Sequence, residues 1–280
     1  MSVAALILII IIGIVTYRAL QDRSVFERLL FRPYSILVKK EWYRMVSSAF
    51  VHVDVWHYAM NIVCLASFAE LIEWTYGFGP FLVIFFGSVI GGSLLSLYFH
   101  RNHDYTAVGA SGGVSGVVFA NIALFPDTAV GIILIPIYIP GWVFAAAYLL
   151  FSFYGIRKQL GNIGHDAHFG GALTGVFIAL IVNPNAIVTQ PLLISGIIIG
   201  SIIMLFILAK DPTISAGTIF GNKQNQYKPS ERYQDYDLSL EKGKKREEID
   251  TILEKISELG FDSLTARERK ILDAYSRKRG

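Results

Sequence analysis

Cysteine is almost missing from this chain: Cys64 is the only one in 280 residues. A disulfide framework is therefore excluded, and cysteine usage does not reveal the redox compartment. Charge is scarce as well. Asp, Glu, Lys and Arg make up 17% of the residues, and fourteen of the 25 Lys and Arg lie after residue 220. The net charge of +3 is small, and no stripe of basic and aromatic residues crosses the apolar part, which argues against a nucleic acid partner. The six histidines fall at no recognisable ligand spacing. No metal site is expected, and nothing calls for a cofactor. No internal repeat, mid-depth charge pair or broken helix suggests a transporter.

What fills the chain instead is aliphatic and aromatic. It is 53% hydrophobic with a mean hydropathy of +0.49, which a soluble globular domain does not sustain. Residues 2–20 lack the basic start and small-residue cleavage site of a signal peptide, so they are read as a first spanning helix. Residues 21–55 mix basic, aromatic and apolar types, with Trp42, Tyr43 and Trp56, as an interfacial segment does. Apolar segments follow at about 56–74, 81–99, 111–125, 141–156, 168–183 and 191–209. Gly79-Pro80, Pro126, Pro140 and Asn183-Pro184 punctuate them, and 130–140 reads as an interfacial connection. The expected fold is an all-α polytopic membrane protein with seven spans. Six belong to a core over 1–185, one C-terminal span follows over 186–210, and a polar tail runs over 211–280.

The tail begins as a linker, expected to be disordered over 221–237. Ile249, Ile252, Leu253 and Ile256 then recur at helical spacing until Gly260. Thr265 and Glu268 can form a capping box for a second helix carrying Ile271, Leu272 and Tyr275. This is either a helical hairpin for a partner or the membrane surface, or a solvated tail.

Polar groups inside apolar helices are costly and suggest function. Ser111 opens the fourth apolar segment, within Gly109-Ala110-Ser111-Gly112-Gly113-Val114-Ser115-Gly116. Small neighbours let a substrate approach the hydroxyl, and the helix start leaves amides unpaired that can hold an oxyanion. His57 and Asn61, four apart, share one face of the second segment. His168 opens the sixth, just after His165 and Asp166. With alternating helix direction, all four groups start from one side of the bilayer and meet at one depth. Gly112/Gly116 and Gly171/Gly175 are small-xxx-small pairs that let two backbones approach, and so let the serine reach the imidazole.

These residues carry a resemblance. Gly109-Ala110-Ser111-Gly112 resembles the Gly-x-Ser-Gly of the rhomboid intramembrane serine proteases. His57-Tyr58-Ala59-Met60-Asn61 is similar to their His-x-x-x-Asn, and Ala167-His168-Phe169-Gly170-Gly171-Ala172-Leu173-Thr174-Gly175 to their Ala-His-x-x-Gly-x-x-x-Gly. Arg44 falls where the family has the arginine of its first-loop Trp-Arg motif, with Tyr43 in the tryptophan's place, and Glu73 falls on the family's acidic residue. The resemblance covers about 1–185.

It implies a serine endopeptidase with a Ser111 and His168 dyad and single-pass transmembrane proteins as substrates in the bilayer. The oxyanion is met by the Ser111 amide with His57 and Asn61. Gly109, Gly112, Gly171, Gly175 and Arg44 give structural support. One departure stands out: four residues after the serine, where the family commonly has a tyrosine stacked on the histidine, this chain has Ser115.

Plainer readings compete at each position. A serine at a helix start is often a cap; intramembrane histidines and asparagines often tie helices together. His52 and Arg44 read as structural. The rival function is a non-catalytic rhomboid-like protein that binds membrane clients for quality control, although such relatives usually lack the serine or the histidine. Every Lys and Arg lies on the side of Ser111 or in the tail. The positive-inside rule would turn that side to the cytoplasm, whereas the family resemblance implies a site opening away from it, so sidedness stays open.

Overall fold

A helix made of Val-Ala-Ala-Leu-Ile-Leu-Ile-Ile-Ile-Ile has no polar face to give to water. In the computed structural model this is α1 (Val3–Gln21), which buries Ala5, Leu8 and Ile12 and exposes Ile7, Ile10, Ile11 and Ile14. Apolar residues on every face belong in lipid. The structure describes residues 2–210 except 103, 133–134 and 161–162, together with 249, 251–256, 260–265, 267–269 and 271–272.

The α1 helix is capped by Ser2, which accepts the Ala5 amide at 3.0 Å. Glu73, from the far end of α5 (Val55–Tyr76), accepts the Ala4 amide at 2.9 Å and the Ser2 hydroxyl. A carboxylate is thereby set against the positive end of a helix dipole. Beside these run α6 (Phe78–His100), α9 (His165–Val182) and α11 (Pro191–Lys210); α1, α5, α6, α9 and α11 are each long and apolar enough to cross a membrane. Two further helices, α7 (Ser111–Leu124) and α8 (Gly141–Lys158), complete the seven segments of the sequence reading. The molecule is an all-α, multi-pass integral membrane protein.

The centre of the bundle is α7. Its residues 112–124 are all buried, packed against α6 and α9. Fourteen residues rise only about 21 Å, against about 30 Å of hydrocarbon. One end of α7 therefore lies below the membrane surface.

The segment from Asp22 to Asp54 folds as short helices, α2 (Arg23–Leu29), α3 (Pro33–Leu37) and α4 (Arg44–Ser47), then a 3₁₀ turn at Ser48–Phe50. Arg44 is its buried pin. Its guanidinium donates to the carbonyls of Glu27 and Leu30 at 2.8 and 2.9 Å, and to the Glu41 carboxylate at 2.5 Å. Phe31 and Ala107 exchange backbone hydrogen bonds of 2.9 and 3.2 Å, which clamps this segment to the loop that leads into α7.

The connection read at 130–140 has regular structure. Strands β1 (Ala129–Ile132) and β2 (Ile135–Pro140) pair antiparallel, with Val130 opposite Ile139. The β-branched Val and Ile of this stretch favour a ribbon, and its prolines are tolerated because a two-stranded ribbon has only edges. After α9, the short α10 (Ala186–Thr189) leads to Gln190, whose amide donates to the carbonyls of Ile122 and Ala123 at 3.3 and 2.8 Å. These belong to the last turn of α7, where carbonyls have no helical partner.

Residues 228–280 form a separate unit. Its described part carries the expected capping box. The Glu268 carboxylate accepts the Thr265 amide at 2.7 Å, and Thr265 Oγ1 accepts the Glu268 amide at 3.3 Å. Lys255 adds contacts of 2.9 and 3.0 Å. These bonds pull the Glu268 carboxyl down to about 2. Ile249, Ile252 and Leu264 are buried. The linker expected over 221–237 and Tyr275 lie outside the described residues.

Candidate active site

Ser111 is the first residue of α7, and the cap position belongs to Ala110, which offers no side-chain cap. The plain reading of Ser111 as a capping serine therefore fails. The first ladder bond runs from the Val114 amide to the Ala110 carbonyl at 2.9 Å, so the amides of Ser111, Gly112 and Gly113 lie in the open first turn. The Ser111 hydroxyl lies 2.6 Å from His168 Nε2. Both side chains are half-buried.

This approach depends on glycine. A Cβ at Gly171 would sit 2.0 Å from the Gly112 carbonyl oxygen, and one at Gly175 would sit 2.2 Å from that of Gly116. The α7 and α9 backbones thus touch along the two glycine pairs, at a distance no side chain permits.

His57 lies beside the same turn. Its ring packs on Gly109, where a Cβ would stand 2.6 Å from Cε1 and 2.9 Å from Nε2. Gly109 has φ +116°, a conformation that L side chains rarely adopt. Asn61 is buried one turn further on, its amide donating to the His57 carbonyl at 2.8 Å. Asp54 caps α5 by accepting the His57 amide at 2.6 Å, which fixes the start of the helix that carries both residues.

His52 carries more than its plain structural reading suggests. It is fully buried. The Ala110 amide donates to its Nε2 at 3.3 Å, and Nδ1 lies 2.9 Å from Thr16 Oγ1, whose hydroxyl donates to the Phe50 carbonyl at 3.1 Å. With Nε2 accepting, the proton sits on Nδ1. His52 thus ties α1 to the residue before Ser111. Burial, with the neighbouring His57 adding to it, pushes the His52 imidazole down to about 3.

Asp166, two residues from His168, faces elsewhere, as its helical position implies. It is buried 3.3 Å from His100 Nε2 and 3.5 Å from the Tyr105 hydroxyl, and His100 stacks flat on Tyr105 with centroids 3.7 Å apart. Burial, then the Asp166 charge, raises the Tyr105 hydroxyl well above its ordinary value. No group of three or more His, Cys, Asp or Glu able to hold a metal occurs among the described residues.

Spacing alone did not disclose Tyr148 on α8. Its ring stacks against His168 with centroids 6.3 Å apart, and its hydroxyl lies 2.5 Å from Ser115 Oγ. A tyrosine within an apolar helix needs a partner for its hydroxyl, and that was the available signal. Which helix supplies the partner is a tertiary matter.

Chemically, the arrangement places a hydroxyl on an imidazole beside open helix-start amides, at the start of a helix shorter than the hydrocarbon layer is thick. Known proteins are similar to this chain in sequence. The Rhomboid domain family matches residues 39–185, and a family of unknown function (DUF6576) matches 235–278. The chain is 31% identical to Rhomboid protein 1, mitochondrial, of Saccharomyces cerevisiae over 136 residues, 47% of this chain and 39% of that protein. It is 31% identical to the Rhomboid protease GluP of Bacillus subtilis over 153 residues, 52% of this chain and 27% of that protein. Against the Presenilin-associated rhomboid-like protein A, mitochondrial, of Danio rerio it is 29% identical over 137 residues, 48% of this chain and 36% of that protein. The chain spans less than half the length of these relatives. Because the domain match takes in 147 of the 280 residues, among them all of α5, α6, α7 and α9, the chain belongs to the rhomboid family.

Proposed function

We propose that this protein is an intramembrane serine endopeptidase that cleaves single-pass transmembrane proteins within or near the bilayer. The observation that carries the reading is the 2.6 Å contact between Ser111 Oγ and His168 Nε2. A protein that only holds membrane clients has no use for a hydroxyl set on an imidazole at the mouth of a glycine-walled crossing.

In the reaction, His168 Nε2 takes the Ser111 proton as Oγ attacks the scissile carbonyl. The resulting oxyanion is met by the Ser111 amide with the side chains of His57 and Asn61. The imidazolium then gives its proton to the leaving nitrogen, the C–N bond breaks, and an acyl-Ser111 remains. Water, deprotonated by His168, attacks this ester, and Ser111 is released with its proton restored. Asp166 takes no part. The substrate must present an extended segment to Ser111, so a helix that unwinds readily is favoured, with a small residue before the cut. The protein is placed in the cell membrane, with substrates drawn from the surrounding lipid.

The test is cleavage of a model transmembrane substrate in liposomes. Ser111→Ala and His168→Ala should each lower the rate by about 10³-fold or more, and a fluorophosphonate should label Ser111 alone. Cleavage that survives Ser111→Ala would rule out this nucleophile, whereas wild-type protein that binds the substrate without cutting it would favour the client-binding reading instead.

A further inference from the structure

The His168 ring has its own support, and that support comes from a third helix. The Tyr148 ring, on α8, lies against the imidazole with planes 29° apart. Phe119 on α7 and Phe144 one turn earlier on α8 flank Tyr148 with centroids 5.4 and 5.5 Å away. Its hydroxyl is 2.5 Å from Ser115 Oγ, which is in turn 2.7 Å from the Ser111 carbonyl oxygen. A carbonyl only accepts, so the single Ser115 proton goes to Ser111. Tyr148 must then donate to Ser115. The chain of bonds has one direction, from α8 through Ser115 to the backbone of the residue that carries the nucleophile.

We propose that Tyr148 is the positioning residue for His168: its ring holds the imidazole aimed at Ser111, and its hydroxyl fastens that ring to α7 through Ser115. The proposal rests on reading Ser111 and His168 as nucleophile and base. It also accounts for the serine at position 115. A large ring there would compete with Tyr148 for the same volume, since the two side chains already touch at 2.5 Å. The ring against His168 is supplied by α8 and not by the helix of the nucleophile, so the order of the base depends on α8 staying packed against α7 and α9.

The experiment compares wild type with Tyr148→Phe, Tyr148→Leu, Tyr148→Ala, Ser115→Ala and the double variant Ser115→Tyr/Tyr148→Ala. Three readouts are taken in detergent: kcat and KM on a transmembrane substrate, thermal midpoint, and the ring-nitrogen NMR signals of ¹⁵N-histidine-labelled protein. Tyr148→Leu should lower kcat about tenfold or more with KM within about twofold, while Tyr148→Phe, which keeps the ring, and Ser115→Ala lose only a few-fold. The double variant should recover part of what Tyr148→Ala loses. His168 should show a single tautomer in wild type and Tyr148→Phe, and averaged signals in Tyr148→Leu.

Unchanged kcat and an unchanged tautomer in Tyr148→Leu would overturn the proposal. So would a kcat loss that follows the thermal midpoint while the tautomer stays fixed, because that is packing alone. Wild-type protein that does not cleave, yet whose His168 tautomer still responds to Tyr148→Leu, would sink the protease reading and leave the positioning role standing. A silent wild type whose tautomer ignores Tyr148→Leu would sink both.

Discussion

A buried imidazole that must stay neutral makes stability depend on pH in one direction only. His52 has its folded pKa near 3, below the ordinary 6.5, so between those values the unfolded chain binds a proton that the folded protein refuses. Stability from this group is complete above pH 6.5 and falls as pH drops toward 3. Lowering the pH from 7 to 4.5 should remove about 2–3 kcal/mol through His52. Thermal unfolding in detergent should therefore fall more steeply with acid in wild type than in His52→Gln; parallel slopes would reject this. His57 and Asn61 differ in kind, because they are proposed to meet charge that exists only during reaction. His57→Ala and Asn61→Ala should each lower kcat about 10²–10³-fold with little change in thermal midpoint. A KM effect of that size with kcat unchanged would assign them to substrate binding instead.

Helices α7 and α9 form the element on which the site is built, and their contact has almost no tolerance. Gly171→Ala puts a methyl 2.0 Å from a backbone oxygen, while the same methyl at Gly200 on α11 meets nothing within 4 Å. Backbone cannot swing aside as a flexible side chain does, so Gly171→Ala should cost about 1–3 kcal/mol or more and separate Ser111 from His168. Gly200→Ala should be close to neutral. Comparing the two thermal midpoints and the fluorophosphonate labelling rates checks this, and equal behaviour would show that the crossing is looser than the structure has it. The other end of α7 has its own hold, since Gln190 bonds two carbonyls there. Gln190→Leu leaves those acceptors without their donor and should cost about 1–3 kcal/mol. The loss would appear as a lower midpoint with the chemistry intact.

Taken whole, the molecule is marked at both membrane faces. All four tryptophans are exposed. Trp42 and Trp56 lie at the end where Ser111 opens, Trp74 and Trp142 at the opposite end, by the last turn of α5 and the first of α8. Interfacial tryptophans form such pairs of belts. Seven segments running alternately put Asp54 and Lys210 on one face, Asp127 and Asn185 on the other. With Cys64 replaced by alanine, single cysteines at Asp54 and Lys210 should react with an impermeant maleimide from the same side of sealed vesicles. Cysteines at Asp127 and Asn185 should react only from the opposite side. Labelling that splits Asp54 from Lys210 would break the seven-span count.

The sequence by itself determined the helices and the residues from which a chemistry can be proposed. An apolar stretch of about 20 residues has one stable fate in lipid, so the spans could be placed within a few residues of their observed ends. Helix periodicity fixed which residues share a face, and so turned Asp166 away from His168 and set Asn61 one turn from His57. What periodicity cannot supply is a contact between helices distant in the chain. The tertiary structure alone decided that His52 reaches Thr16 and Ala110, that Gln190 closes the end of α7, and that Tyr148 faces His168. It alone paired Val130 with Ile139 across a ribbon that, from its composition, read only as a connection. Each of these rests on how separate helices or strands pack in three dimensions, and spacing along one segment carries no information about the distance to another.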